Sequence, residues 1–142
     1  METGGADRET RRPLTRLRQR ADFLRAASAR RQGTAGFLLQ ARERGDDGPI
    51  RVGFTCSKKV GNAVVRNRAR RRLRSLAAEL LPGHGRQGWD YVLVGRPDAT
   101  VQRSFAELRA DLAGALIRIH QPGAQQSRPR KPPRSPAKEQ RP

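Results

Sequence analysis

Residues 51–81 read RVGFTCSKKVGNAVVRNRARRRLRSLAAELL, and the second half of this run leaves the chain few structural choices. At 100° per residue, Val65, Ala69, Leu73, Leu76 and Leu80 fall on one narrow stripe, the spacing of a helix docked on a core. Asn62 suits the N-cap, where a side-chain oxygen accepts from orphan backbone N–H groups, and Pro82-Gly83 predicts the stop. Six arginines lie between Arg66 and Arg74. Arg66, Arg70 and Arg74 flank the stripe, while Arg68, Arg71 and Arg72 fill the rest of the circumference. Arg66/Arg70, Arg70/Arg74, Arg68/Arg72, Arg68/Arg71 and Arg71/Arg74 are like-charge neighbours three or four residues apart. Each such pair costs a free helix roughly 0.2–0.5 kcal/mol. Solvated faces normally interleave both signs, but here the first acid is Glu79, in the last turn. The pattern calls for a polyanion that screens the repulsion. Guanidinium, a planar bidentate fork, suits phosphate.

The rest of the composition points the same way. A chain of 142 residues with a formal charge of +18 and a pI near 11.8 is one small domain. Its default partner is nucleic acid, with an anionic membrane surface second. Cys56 is the only cysteine, which excludes an intramolecular disulfide or a Cys-rich zinc site. Its alternation with Val52 and Phe54 predicts a buried strand position. His84 and His120 form no metal or catalytic constellation. Two-metal phosphodiester chemistry needs clustered carboxylates, and of the 13 acids only Asp46-Asp47 form a compact pair, in a predicted turn. The sequence therefore argues against a self-sufficient nuclease, and neither a catalytic residue nor a metal ligand set is expected. The N-terminal METGGADRETRR lacks an apolar signal core and no run approaches membrane-spanning length, so the expectation is a cytoplasmic protein.

Taken in order, residues 1–13 read as a disordered arm, 14–120 as the folded domain, and 121–142 as a disordered, basic, Pro-rich tail. Residues 15–29 predict one helix, with Leu17, Ala21, Leu24 and Ser28 in line and Phe23 beside them. A loop follows at 30–36 and a strand at 37–42. In the strand expected over 50–57, Ile50, Val52, Phe54 and Cys56 face one way and Arg51, Gly53, Thr55 and Ser57 the other. One apolar face and one small, polar face predict a helix on one side of the sheet and a groove on the other. A buried strand is expected over 90–95, and residues 96–103 read as a connection. Ser104-Phe105-Ala106-Glu107 is a capping-box pattern opening an amphipathic helix through Phe105, Leu108, Leu112, Ala115 and Ile119. The fold class is a compact α+β sandwich.

The run SKKVGNAVVRNRARRRLR, residues 57–74, resembles the signature of the protein subunit of bacterial ribonuclease P. Arg66-Asn67-Arg68 matches that family's hallmark Arg-Asn-Arg on a helix. Ser57-Lys58-Lys59 matches the preceding turn, and Gly61 and Asn62 stay in step. At scattered positions the likeness extends from about Leu14 to Arg118. It implies a mostly antiparallel four-stranded central sheet with about three helices, similar to the second domain of ribosomal protein S five. The implied left-handed βαβ crossover runs against the usual right-handed preference.

The resemblance also implies a function: binding the catalytic RNA subunit and the 5′ leader of precursor tRNA in support of endonucleolytic 5′-end maturation. The catalytic centre would belong to the RNA. Lys58, Lys59, Asn62, Arg66, Asn67, Arg68, Arg70, Arg71 and Arg74 would face the RNA subunit or nearby phosphates. Phe23, Thr55 and Ser57 would border a cleft for the leader. Magnesium would be held mainly by the RNA subunit and substrate, with none bound by a protein motif. The partners would be the RNA subunit and precursor tRNA, with no membrane and no protein partner. Some members carry further aromatics where Ala27 and Gln40 stand here. Stacking, worth about 1–3 kcal/mol per base, would then give way to charge and hydrogen bonds. Engaging 6–10 phosphates implies a loss of about 10³–10⁵ in affinity between 50 and 200 mM salt. Composition alone leaves open a ribosomal or general structural RNA-binding protein without a role in cleavage.

Overall fold

A computed structural model describes residues 13–122. The arm and the tail expected at the two ends lie, apart from Pro13, Gln121 and Pro122, outside the described residues. Five strands, β1 (Leu14–Arg16), β2 (Arg30–Gly33), β3 (Phe37–Glu43), β4 (Ile50–Thr55) and β5 (Trp89–Gly95), form one sheet in the order β1-β4-β5-β3-β2. The two pairs involving β4 are parallel and the two involving β3 are antiparallel. The helices are α1 (Arg20–Ala27), α2 (Ala63–His84), the short α3 (Ala99–Gln102) and α4 (Phe105–Ile119), with a 3-10 turn at Lys58–Val60. This is the expected α+β class. Its sheet has one strand more than the four anticipated, because β1 and β2 offer little hydrophobic alternation to read, and it is mixed where a mostly antiparallel sheet was expected.

Alternation along the central strands sorts the two faces. Phe37, Leu39 and Ala41 of β3, Ile50 and Val52 of β4, and Tyr91 and Leu93 of β5 are buried against α2 and α4. From α2 come Ala69, Leu73, Leu76, Ala77 and Leu81, and from α4 come Leu108, Leu112, Ala115, Leu116 and Ile119. The predicted stripes of both helices are thus core. Their N-caps hold as well. Asn62 Oδ1 accepts from Val65 N at 3.0 Å, and the Ser104–Glu107 capping box is complete. The other face is thinly covered: Leu17, Ala26 and Val92 are buried there, with Phe23 and Val94 packed beside them.

Three expectations are corrected. Residues 14–16 form a strand instead of the start of a helix, and Leu17 is buried ahead of α1. Leu24, placed on the apolar stripe, is 53% exposed, while Ala26 is the buried residue of α1. Pairing of residues 14–16 with β4 holds this segment extended, and it outweighs the helical reading. Second, residues 30–33 are a strand, fixed by four antiparallel pairings with β3 despite carrying no large apolar side chain. Third, α2 passes through Pro82 and ends at His84, with Gly85 N donating to Leu81 O at 2.8 Å. A proline near a helix end loses a single backbone bond, so the last turn tolerates it.

His120 closes the C-terminal end of the core. Its ring lies edge-on to Trp89 at 4.3 Å, and its Nε2 is 2.6 Å from Tyr91 Oη, which accepts from Arg86 N at 2.9 Å. Burial, followed by the charges of Arg86 and Arg30, pushes its pKa down to about 4. A depressed histidine pKa means that the unfolded chain binds more protons in this window, so stability is lost as pH falls from about 6.5 to about 4. Thermal melts across pH 7 to 4 should show the midpoint falling, with a smaller fall over that window in His120→Gln.

Candidate nucleic-acid interface

One end of the sheet gathers the acids. Asp90, on the central strand β5, is fully buried, and its register neighbours are Arg51 on β4 and Arg42 on β3. Arg51 binds it through two bonds of 2.8 Å, Arg44 reaches it at 2.7 Å, and Arg42 Nη1 lies at 3.4 Å. The hydrogen bonds to Asp90 raise the pKa of Arg51. Asp22 of α1 sits 3.4 Å from Arg51 and 3.8 Å from Arg42, tying the helix to the same knot. Asp46, half of the compact pair noted in the sequence, binds Arg44 at 2.9 Å and accepts from Gly48 N. These carboxylates are occupied in holding loops and strands. Among the described residues no group of three or more His, Cys, Asp or Glu is arranged to hold a metal ion.

The opposite end is basic. Ser57 Oγ accepts from Lys59 N at 3.3 Å and caps the 3-10 turn, leaving Lys58 and Lys59 exposed. Gly61 then turns the chain at φ 150°, where a Cβ would stand 2.8 Å from that of Val65. On α2, Asn67, Arg68, Arg71 and Arg74 are exposed, and Arg66 and Arg70 are half-buried beside the end of β4. Among the described residues none of Arg66, Arg68, Arg70, Arg71 and Arg74 has an acid within ion-pair distance. Arg70 makes one long bond, 3.4 Å to Asn67 Oδ1, and the buried Nε of Arg66 has no partner.

Arg72 is different. Its guanidinium donates to the carbonyls of Thr100 at 3.0 Å, of Val101, and of Arg103 at 2.7 Å. It satisfies the C-terminal end of α3, where orphan carbonyls favour a cation. The lone acid of the last turns, Glu79, pairs with Arg109 of α4 at 2.7 Å.

On the thinly covered face of the sheet lies a cleft of about 540 Å³, lined by Arg18, Arg20, Phe23, Leu24, Ala27, Gln40, Thr55 and Val94. Phe23 and Thr55, two of the residues expected at a leader cleft, line this cavity. Ser57 is not among the lining residues. Ala27 and Gln40 do line it, so the positions lacking aromatics are cleft positions in this chain. Phe23 is also a packing residue, since a Cβ on Gly53 would overlap its ring edge. Arg18, Arg20, Leu24 and Val94 were not anticipated. Arg18 lies just ahead of α1 and Arg20 is its first residue.

Residues 12–120 match the family model described as Ribonuclease P. The chain belongs to the ribonuclease P protein family. It is 60% identical over 108 residues to the ribonuclease P protein component of Ruegeria pomeroyi, covering 75% of this chain and 86% of that one. It is 51% identical over 111 residues to that of Paramagnetospirillum magneticum, covering 75% and 83%. The ribonuclease P protein from Thermotoga maritima superposes with a TM-score of 0.63 at 28% identity, covering 75% of this chain and 98% of that structure. Among the described residues of this family member no helix is long and apolar enough to cross a membrane.

The two kinds of arginine on α2 should separate by stability. Arg72→Ala should destabilise the domain by about 1.5–3 kcal/mol, the usual value of hydrogen bonds to a charged group. Arg71→Ala should change it by less than about 0.5 kcal/mol, as at an unengaged surface site. Urea unfolding of the two variants checks this.

Proposed function

We propose that this chain is the protein component of a ribonuclease P, binding the catalytic RNA subunit along α2 and the 5′ leader of precursor tRNA in the cleft beside α1. The observation that carries this reading is the acid-free, outward-facing line of Asn67, Arg68, Arg71 and Arg74. Such a surface neutralises phosphates and releases their counterions, and this is the main source of sequence-independent affinity for RNA. Lys58 and Lys59 extend it at the start of α2. Asn62 contributes mainly by capping that helix, which fixes where the arginines point. Half-buried Arg66 and Arg70 add charge on the flank of the same helix.

In the cleft, Phe23 offers one aromatic ring for stacking, and Thr55 and Gln40 offer hydrogen-bonding groups to bases or 2′-hydroxyls. Arg18 and Arg20 supply charge. Ser57 acts through the turn that presents the two lysines. No residue of this chain is given a catalytic role. Phosphodiester hydrolysis belongs to the RNA subunit, with magnesium carried by the RNA and substrate, while the protein orients the leader and screens the assembly's charge. The place of action is the cytoplasm.

Precursor-tRNA cleavage by a bacterial ribonuclease P RNA at low magnesium, with and without this chain, tests the proposal. The chain should restore cleavage at the mature 5′ end, and Arg68→Ala should lose most of that rescue while remaining folded. Salt-sensitive RNA binding without any rescue would instead make this a general RNA-binding protein.

A further inference from the structure

A second, smaller cavity lies where the edge of the sheet meets α2. It holds about 120 Å³, and its lining includes Arg16 of β1, Arg70 and Arg74 of α2, Phe54 and Gly53 of β4, and Phe23 of α1. Three cations from two separate elements thus line one recess. Among the described residues no acid lies within ion-pair distance of any of them. The recess exists because β1 is short. Its pairing with β4 ends at Arg16 opposite Val52, so the edge of β4 from Gly53 onward has no neighbouring strand on that side. Gly53 carries no side chain to fill the gap, and Phe23 packs over it. Phe23 is therefore a wall shared by the recess and the larger cleft.

Bringing three guanidinium groups together without a counter-charge is unfavourable in the free protein, and an anion removes that cost. Phe54 and Phe23 make part of the lining apolar, which strengthens a charge interaction beside them. We propose that this recess seats one phosphodiester phosphate of bound RNA at the junction between the α2 surface and the cleft, with Arg16 as its decisive ligand. The proposal rests on the RNA-binding reading above and adds a residue from an edge strand that the Arg-Asn-Arg signature does not contain. The phosphate belongs either to the RNA subunit or to the leader, and the recess would engage both by the same chemistry.

The test compares Arg16→Gln with Arg31→Gln in the full chain. Both side chains are exposed, and both changes remove one charge. Arg31 sits on β2, at the opposite edge of the sheet. Titrations of a bacterial ribonuclease P RNA, and of the RNA–protein complex with precursor tRNAs carrying short and long leaders, would be run across a salt series. Arg16→Gln should weaken binding roughly tenfold, the scale of one lost charge-assisted contact. It should also flatten the slope of log affinity against log salt by about one. Arg31→Gln should do neither. Loss on the RNA subunit alone assigns the phosphate to that RNA, whereas loss only with the long leader assigns it to the substrate. Equal behaviour of the two variants, with wild-type binding intact and salt-dependent, would overturn the recess while leaving the broader reading in place. Failure of the wild-type chain to bind RNA in a salt-dependent way would sink both.

Discussion

The buried carboxylate of Asp90 is the constraint on which the arrangement of charge depends. A chain carrying +18 has few acids to spare, and it commits one fully to burial on the central strand, near one end of the sheet. A buried charge is tolerated only when paired and hydrogen-bonded. Here Arg51, Arg44 and Arg42 do both, from β4, from the loop after β3, and from β3 itself. Asp22 ties α1 to the same cluster. Asp90, Asp22 and Asp46 and their arginines thereby form one cluster at one end of the sheet, while Glu79 and Asp111 pair with Arg109 and Arg103. The end where β4 leads into the 3-10 turn and α2 is left with Lys58, Lys59 and arginines that meet no acid. The exposed arginines of α2 are unneutralised because no described acid lies within ion-pair distance of them.

The same accounting divides the arginines of α2. Helical spacing places six guanidiniums around one cylinder, but only packing decides their partners. Arg72 turns inward along the helix flank to the carbonyls of α3 and Arg103. Arg68 and Arg71 are exposed to solvent, and Arg74, also exposed, lines the recess beside β1. A helix that is core on one side and unneutralised cation on the other is held in place by its apolar face, since its like charges oppose the helical state. That gives a rigid basic surface whose electrostatic cost is relieved by a bound polyanion.

Much of this was legible beforehand, and the gaps have physical causes. The stripe of α2, its Asn62 cap, the capping box and apolar face of α4, and the alternation of β4 all depend on local periodicity, which sequence carries directly. The edges of the sheet did not show. Strand β1 spans three residues and β2 reads RRQG, so both exist through pairing with β4 and β3 and not through their own side chains. Leu24 and Ala26 exchanged places for the same reason: without the strand ahead of it, the register of α1 was set wrongly. Within the candidate site, helical spacing sufficed to put Asn67, Arg68, Arg71 and Arg74 on the exposed side of α2, and strand alternation to put Thr55 on the cleft face. Ser57 is spent on capping, Arg72 is structural, and Arg16, Arg18 and Arg20 emerge only once the segment before α1 is known to be extended.

The proposed function requires RNA to lie along the exposed line of α2 and not along the outer face of α4. Site-directed photo-crosslinking measures that most directly, with a probe attached at Arg71→Cys or at Ala110→Cys, an exposed position on α4. Efficient crosslinks to ribonuclease P RNA from position 71, with few from position 110, are the predicted result. Crosslinks from position 110 with none from position 71 would contradict it.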